Sequence, residues 1–245
     1  MRNGRSAVDG GIYIAVEGVD GSGKTTLFRG LAAELERRGV DYSVACPTRA
    51  LGEGARLEEW LRRFRALGRS RWCRAFLYAQ RSRRAFEACD WSKPVVLGDR
   101  SIVTSYVARW RHVLGSARAS RWLVDGLEPH LPVPRHVLFL DAPWEVRRER
   151  LRRRGLPLGI DETRGRSRQM EKAYREIMAS NVVPCLEAVR WHVLDGTEDV
   201  ETVLRKAWSI IMQVGPRSLC RSDHDKGSII PGKRVFRENR EYSGT

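Results

Sequence analysis

Lysine and asparagine are scarce in this sequence, and closely paired cysteines are missing from it. Only six of its 45 basic residues are lysine, and its only asparagines are Asn3, Asn181 and Asn239. None of these begins an Asn-Lys-x-Asp element, which excludes guanine-reading GTPases of the Ras type. The five cysteines (Cys46, Cys73, Cys89, Cys185, Cys220) form no CxxC pair and have no neighbouring histidine at metal-ligand spacing. They are expected to be reduced, packing thiols rather than disulfides or zinc ligands. No apolar run reaches the ~18 residues of a membrane helix, and the first ten residues lack the apolar stretch of a secretory signal. A soluble, cytoplasmic protein with no membrane partner is expected. Helix-turn-helix, zinc-finger and RNA-binding signatures are absent, and so is any internal repeat.

What is present is an ordinary globular composition, 245 residues with 42% hydrophobic and 31% charged, carrying a formal charge of +15. Arginine abundance alone follows base composition as readily as function, but its distribution is uneven. Stretches 62–84 and 147–168 each hold nine arginines, against three acids in all, and together carry the whole excess. The length is that of one α/β domain, or one plus a tail. The continuous apolar run Ile12 to Val16 reads as a strand buried on both faces, the mark of a parallel sheet. Further strands are expected at Tyr42 to Cys46, Val95 to Gly98, Val137 to Asp141 and Trp191 to Leu194. Helical patterns fall at Thr25 to Arg38, Gly52 to Leu67, Trp72 to Ala88, Ser101 to Val113, Pro143 to Arg154, Ser167 to Ser180 and Val200 to Val214. Strands alternating with helices predict a three-layer, doubly wound α/β fold, a five-stranded parallel sheet with helices on both faces. The expected organisation is a flexible N-terminus at 1–10, one nucleotide-binding domain at 11–214 and a disordered basic tail at 215–245.

The strongest local signal is Gly18-Val19-Asp20-Gly21-Ser22-Gly23-Lys24-Thr25, which satisfies GxxxxGK[ST] between a buried strand and a helix. Glycines let successive backbone N–H groups turn inward around phosphate oxygens, and the helix N-terminus adds its partial positive charge. Lys24 then bridges the β- and γ-phosphates of a nucleoside triphosphate, and the Thr25 hydroxyl is placed to hold Mg²⁺. A carboxylate inside such an anion-binding loop, Asp20, needs a cation or hydroxyl to engage.

Five elements together resemble the thymidylate kinase family, within the nucleoside monophosphate kinases, over most of residues 12–213. Glu17-Gly18-Val19-Asp20-Gly21-Ser22-Gly23-Lys24-Thr25-Thr26 is similar to the family's EGxDGxGKTT. Leu51-Gly52-Glu53-x-x-Arg56 is similar to its LGExxR, although Cys46-Pro47-Thr48-Arg49 before it departs from REPGGT, leaving Arg49 as the phosphate-binding candidate. Leu77-Tyr78-Ala79-Gln80-Arg81 stands where the family has an aromatic residue and, four positions on, an arginine that reads the acceptor base. Positions 77 and 81 share a helix face. Asp99-Arg100-Ser101-Ile102-Val103-Thr104-Ser105 resembles DRYxxSS, with Ala108 and Arg109 replacing the family's tyrosine and glutamine. The arginine-rich 154–168 region, broken at Gly155-Leu156-Pro157-Leu158-Gly159, corresponds to the lid.

The resemblance implies roles. Asp20 faces the acceptor sugar and phosphate, Leu77 and Arg81 the base, Arg100 the acceptor phosphate, and Thr104 and Ser105 the base again. Asp99 acts with Thr25 on Mg²⁺. Because Gly21 stands where some members place an arginine, the catalytic arginine is expected from the lid, with Arg154, Arg164 and Arg166 as candidates. Arg147, Arg148 and Arg152 read equally well as a solvated helix face. Leu194-Asp195-Gly196-Thr197 resembles the donor-adenine loop. The implied activity is phosphoryl transfer from Mg·ATP to a nucleoside monophosphate, most simply dTMP to dTDP. The open alternatives are a kinase for a different or modified nucleotide or a deoxynucleoside, and a basic nucleic-acid-binding protein with a vestigial phosphate loop. Small-molecule nucleotides are the expected partners and nucleic acid is not; packing as a homodimer through the helices after the second strand also follows from the resemblance.

Overall fold

A computed structural model describes residues 11–48, 71–110, 116–129, 131–155, 157, 162–180 and 182–216. The expectations for 1–10, for the 52–67 helix, for Arg49 and the Leu51 to Arg56 element, and for nearly all of the 215–245 tail lie outside the described residues. Five strands, β1 (Ile12–Gly18), β2 (Tyr42–Ala45), β3 (Val95–Asp99), β4 (His136–Asp141) and β5 (Arg190–Asp195), form one all-parallel sheet in the order β2-β3-β1-β4-β5. β1, in the middle, is buried along all seven residues, as its unbroken apolar run requires.

Side chains alternate across the sheet and divide the interior into two cores. Ile12, Ile14 and Val16 of β1, with Val95 and Leu97 of β3 and Leu138 and Leu140 of β4, face helices α1 (Lys24–Arg37) and the C-terminal helix Val200–Val214. Tyr13, Ala15, Val96, Val137 and Phe139 face the other way. There they meet Phe86 of α2 (Arg71–Glu87), Val103 and Tyr106 of α3 (Ile102–Ala108), Val124 of α4 (Ala117–Leu127) and Tyr174 of the helix Arg164–Ala179. Numbered onward, Trp144–Arg153 is α5, Arg164–Ala179 is α6 and Val200–Val214 is α7. Each fully buried leucine or isoleucine in these layers contributes ~2 kcal/mol of transfer free energy.

Three departures from the sequence reading have local causes. The helix expected from Ser101 to Val113 ends at Ala108. Arg109 leaves helical geometry at φ −111°, and its guanidinium forms a buried ion pair with Glu128 at 3.0 Å. Helix α4, which the sequence reading did not contain, is started by Ser116, whose hydroxyl accepts from Ala119 N–H, and is fixed by a 2.6 Å hydrogen bond from Tyr106 Oη to Asp125. Helix α6 begins at Arg164, three residues earlier than expected. Among the described residues, Cys46, Cys89 and Cys185 are free thiols, and no helix is long and apolar enough to cross a membrane.

At the N-terminal end of β4, His136 is buried and its Nδ1 lies 3.0 Å from His192 Nε2, the rings stacked at 5.3 Å. Burial, then the charges of His192, Arg190 and Arg135, bring the His136 imidazole down to about 4. The folded state therefore prefers neutral His136, and this contribution is complete above the ordinary imidazole value and is lost on acidification. The urea midpoint should fall as pH drops from about 6.5 toward about 4, and His136→Gln should flatten that slope; an unchanged slope would remove the pair as its source.

Candidate active site

Parallel strands bring their C-terminal ends to one edge, and the phosphate loop lies there between β1 and α1. Gly21 and Gly23 have φ of 82° and 107°, a region costly to residues with a Cβ. At Gly21 space is short as well: a Cβ would stand 2.8 Å from the Arg147 carbonyl of α5. Gly23 caps α1 without a side-chain hydrogen bond, so no side chain competes with an anion for the first-turn N–H groups.

Three charges meet in this loop. Lys24 Nζ donates to the Val19 carbonyl at 2.9 Å and lies 3.4 Å from Asp20 Oδ1, and the same oxygen takes a close ion pair from Arg100. Burial alone would raise the Asp20 carboxyl, but Arg100 and Lys24 outweigh it and hold it below the ordinary range. Burial, reinforced by the charge of Arg100, brings the Lys24 ammonium down to about 8. Arg100 follows β3 with φ 72°, the only non-glycine positive φ among the described residues. Its N–H bonds the Val16 carbonyl at 3.1 Å, which fastens the turn to β1.

A cleft of about 580 Å³ opens over the loop. Its floor is Asp20 to Thr26; Asp99, Arg100 and Thr48 form one wall, Arg150 and Arg154 of the α5 region another, and Gly196, Glu198, Val200 and Val203 the far side. Thr25, Asp99, Lys24 and Arg100 thus share one space, and Gly196 brings the expected Leu194 to Thr197 turn to it. That turn is closed by Thr197 donating to Asp195 Oδ1 through both its N–H and its hydroxyl. Hard oxygen donors from one hydroxyl and one carboxylate fit Mg²⁺, which is ordinarily held by a few protein oxygens plus substrate phosphates. No cluster of three or more histidine, cysteine or acidic residues able to hold a metal occurs among the described residues.

Of the three expected lid arginines, only Arg154 borders this cleft, its guanidinium held at 2.7 and 2.8 Å by both oxygens of Glu162. Arg164, in the first turn of α6, borders a separate hollow with Trp144, Arg148 and Arg152. Arg166 donates to the Ala108 carbonyl at 2.8 Å. Arg147 is not on a solvated face: it is 1% exposed, and its guanidinium bonds the Ala142 carbonyl, Ser167 and Glu171. Arg148 and Arg152 are exposed as expected.

The acceptor-side candidates gather on α2 and α3. Leu77 and Arg81 are half-buried, and the Arg81 guanidinium stacks on Tyr78, 4.7 Å from the ring centre, so the aromatic partner of this arginine sits three residues before it. Arg109 donates to the carbonyls of Ser105 and Ala75, both at 3.3 Å, stitching α3 to α2. Thr104 donates to Glu17 at 2.7 Å.

Sequence reasoning passed over two residues that the geometry brings forward. Arg150 donates to the Ser22 carbonyl at 3.1 Å and the Gly196 carbonyl at 2.7 Å, joining the phosphate loop to the far wall. Glu17, fully buried, accepts from Ser101, Thr104 and Tyr174. Its place in the EGxDG stretch was visible, but its partners lie 84 to 157 residues away.

The family profile described as Thymidylate kinase matches residues 16–207, more than three quarters of the chain and the whole of this cleft. The chain belongs to the thymidylate kinase family. It is 29% identical over 203 residues to a thymidylate kinase of Xanthomonas campestris pv. campestris (strain B100), covering 83% of this chain and 84% of that one. It is 30% identical, with the same coverage, to a thymidylate kinase of Xanthomonas oryzae pv. oryzae (strain PXO99A). As a member of the thymidylate kinase family it is a nucleoside monophosphate kinase, a phosphotransferase with ATP as donor.

Phosphates bound in this loop would favour charged Lys24, and a lysine brought down to about 8 would then take up a proton when ATP binds there. Calorimetry in buffers of different ionisation enthalpy should show uptake of about half a proton or more at about pH 8.5, falling towards zero by about pH 7. Lys24→Met should abolish it; equal uptake at both pH values would mean that another group titrates.

Proposed function

We propose that this protein transfers the γ-phosphoryl group of Mg·ATP to the 5′-phosphate of dTMP, giving dTDP and ADP. The observation that carries the reading is the sharing of one cleft by the phosphate loop, the Asp99-Arg100 pair and Arg154, in a chain of this family. Phosphoryl transfer asks for little covalent chemistry from the protein; alignment and neutralisation of charge do most of the work.

In this reading Lys24 and the first-turn N–H groups of α1 hold the donor phosphates. Arg100 exchanges Asp20 for the acceptor phosphate, and Asp20 turns to the acceptor sugar. Thr25 and Asp99 would hold Mg²⁺, which supplies charge neutralisation between the donor phosphates. Arg154 exchanges Glu162 for the transferring group, and Arg150 keeps the wall it reaches from in place. Leu77, Arg81, Thr104 and Ser105 surround the acceptor base, with Arg49 and the rest of the 154–168 lid closing the site. Arg164 and Arg166 reach the cleft only by leaving their present surroundings, which makes Arg154 the first choice for the lid cation. The cytoplasm suits a chain in which Cys46, Cys89 and Cys185 form no disulfide, and a homodimer through the arginine-bearing stretch after β2 completes the proposal.

A coupled ADP-release assay across dTMP, dUMP, dCMP, UMP, AMP and thymidine should give dTMP the highest kcat/KM. Turnover of another acceptor above dTMP would redirect the substrate, and turnover of none would refute the kinase reading. Lys24→Ala and Arg154→Ala should each lower kcat about 10²-fold or more, with the KM for dTMP changed far less. A retained kcat in Arg154→Ala would pass the role to another lid arginine.

A further inference from the structure

Glu17 is the last side chain of β1 before the phosphate loop, and it is 0% exposed. A carboxylate has about four lone-pair sites, and four donors converge on this one. Oε1 accepts from the Ser101 N–H at 2.8 Å and the Ser101 hydroxyl at 2.7 Å; Oε2 accepts from the Thr104 hydroxyl at 2.7 Å and the Tyr174 hydroxyl at 2.8 Å. The donors come from the turn after Arg100, from α3 and from α6, so one buried group at the end of β1 ties these three elements together.

The consequence lies in the direction of a proton. A threonine hydroxyl has one hydrogen and two lone pairs. Thr104 is half-buried and gives its hydrogen inward to Glu17, so what it can offer a ligand is lone pairs only. On its pairing edge thymine carries a single donor, the ring N3–H, between two carbonyl acceptors. Cytosine has a bare nitrogen at that position. An acceptor-only hydroxyl that selects thymine therefore takes N3–H, and faces cytosine lone pair to lone pair.

We infer that Glu17 is a positioning residue that sets base specificity by fixing Thr104 as an acceptor toward the ring N–H of the nucleobase. The inference rests on the acceptor-side reading of Thr104 given above.

Glu17→Gln tests it with almost no change of shape. The Ser101 N–H can only donate, so the glutamine carbonyl must face Ser101 and its NH₂ must face Thr104 and Tyr174. Thr104 then accepts from the amide, and its own hydrogen turns outward. Dissociation constants for dTMP and dCMP, with kcat/KM for both, should show the dTMP preference of the parent reduced about tenfold or more, with dCMP gaining in relative terms. The KM for ATP should stay within about twofold. A buried residue that served folding alone would weaken both monophosphates together and leave their ratio unmoved, and that result, or a ratio moving toward dTMP, overturns the assignment. If Glu17→Gln does not fold, Thr104→Val reads the same ratio: the dTMP preference should fall, and its survival overturns the assignment. A parent that binds neither monophosphate overturns the acceptor reading and this inference with it; a parent that selects dTMP while the variants keep its ratio overturns this inference alone.

Discussion

Two cations competing for one carboxylate organise this molecule. Asp20 stands between Lys24, from the loop's own helix, and Arg100, from the turn after β3. The pairing is the electrostatic consequence of gathering anion-binding groups before the anion arrives. Lys24 and Arg100 repel each other in a site that is largely removed from water, and Asp20 between them offsets that repulsion. The carboxylate therefore works as a stand-in ligand. It keeps both cations ordered and charged enough to be useful, at the cost that incoming phosphates must displace it. Arg154 with Glu162 repeats the arrangement on the opposite wall: a cation that borders the cleft is paired with an acid of its own chain.

The sheet makes this convergence cheap. Because all five strands are parallel and β1 is central, the turns after β1, β3 and β4 leave from one edge without any long excursion. The helices bring the remaining groups. Arg147, buried among Ala142, Ser167 and Glu171, locks α5 to α6, and its carbonyl lies so close to the loop that position 21 must be glycine. The lid arginines, the phosphate loop and the far wall are thus referred to one another through α5, with Arg150 bonding two of them directly.

Much of this was legible in the chain. The expected strands lie within two residues of the observed ones; for β1, β3 and β4 this is because a strand buried on both faces has few polar interruptions, while the edge strands β2 and β5 are only partly buried. The loop motif announced itself because its chemistry tolerates few residue types. Helix α4 was missed although Leu123, Val124 and Leu127 fall on one helical face; it is only 11 residues long and Gly126 sits in its last turn. Arg147 and Glu17 escaped for a different reason. Each is a charged residue whose burial depends on partners from distant elements, Ser167 and Glu171 for one, Ser101, Thr104 and Tyr174 for the other, and local sequence carries no trace of those meetings. Arg109 could be seen to depart from the family pattern, but only the fold reveals that Glu128 waits for it.

Arg100 carries a further implication. Its left-handed backbone is one that a side chain occupies at a cost of roughly 1 kcal/mol, while glycine occupies it freely. The guanidinium that pairs with Asp20 is therefore carried at a position where the main chain alone would favour having no side chain at all. Glycine here would relieve that cost but would leave Asp20 without its closest cation in a site largely removed from water, so the ion pair outweighs the strain and keeps a side chain where the main chain would not.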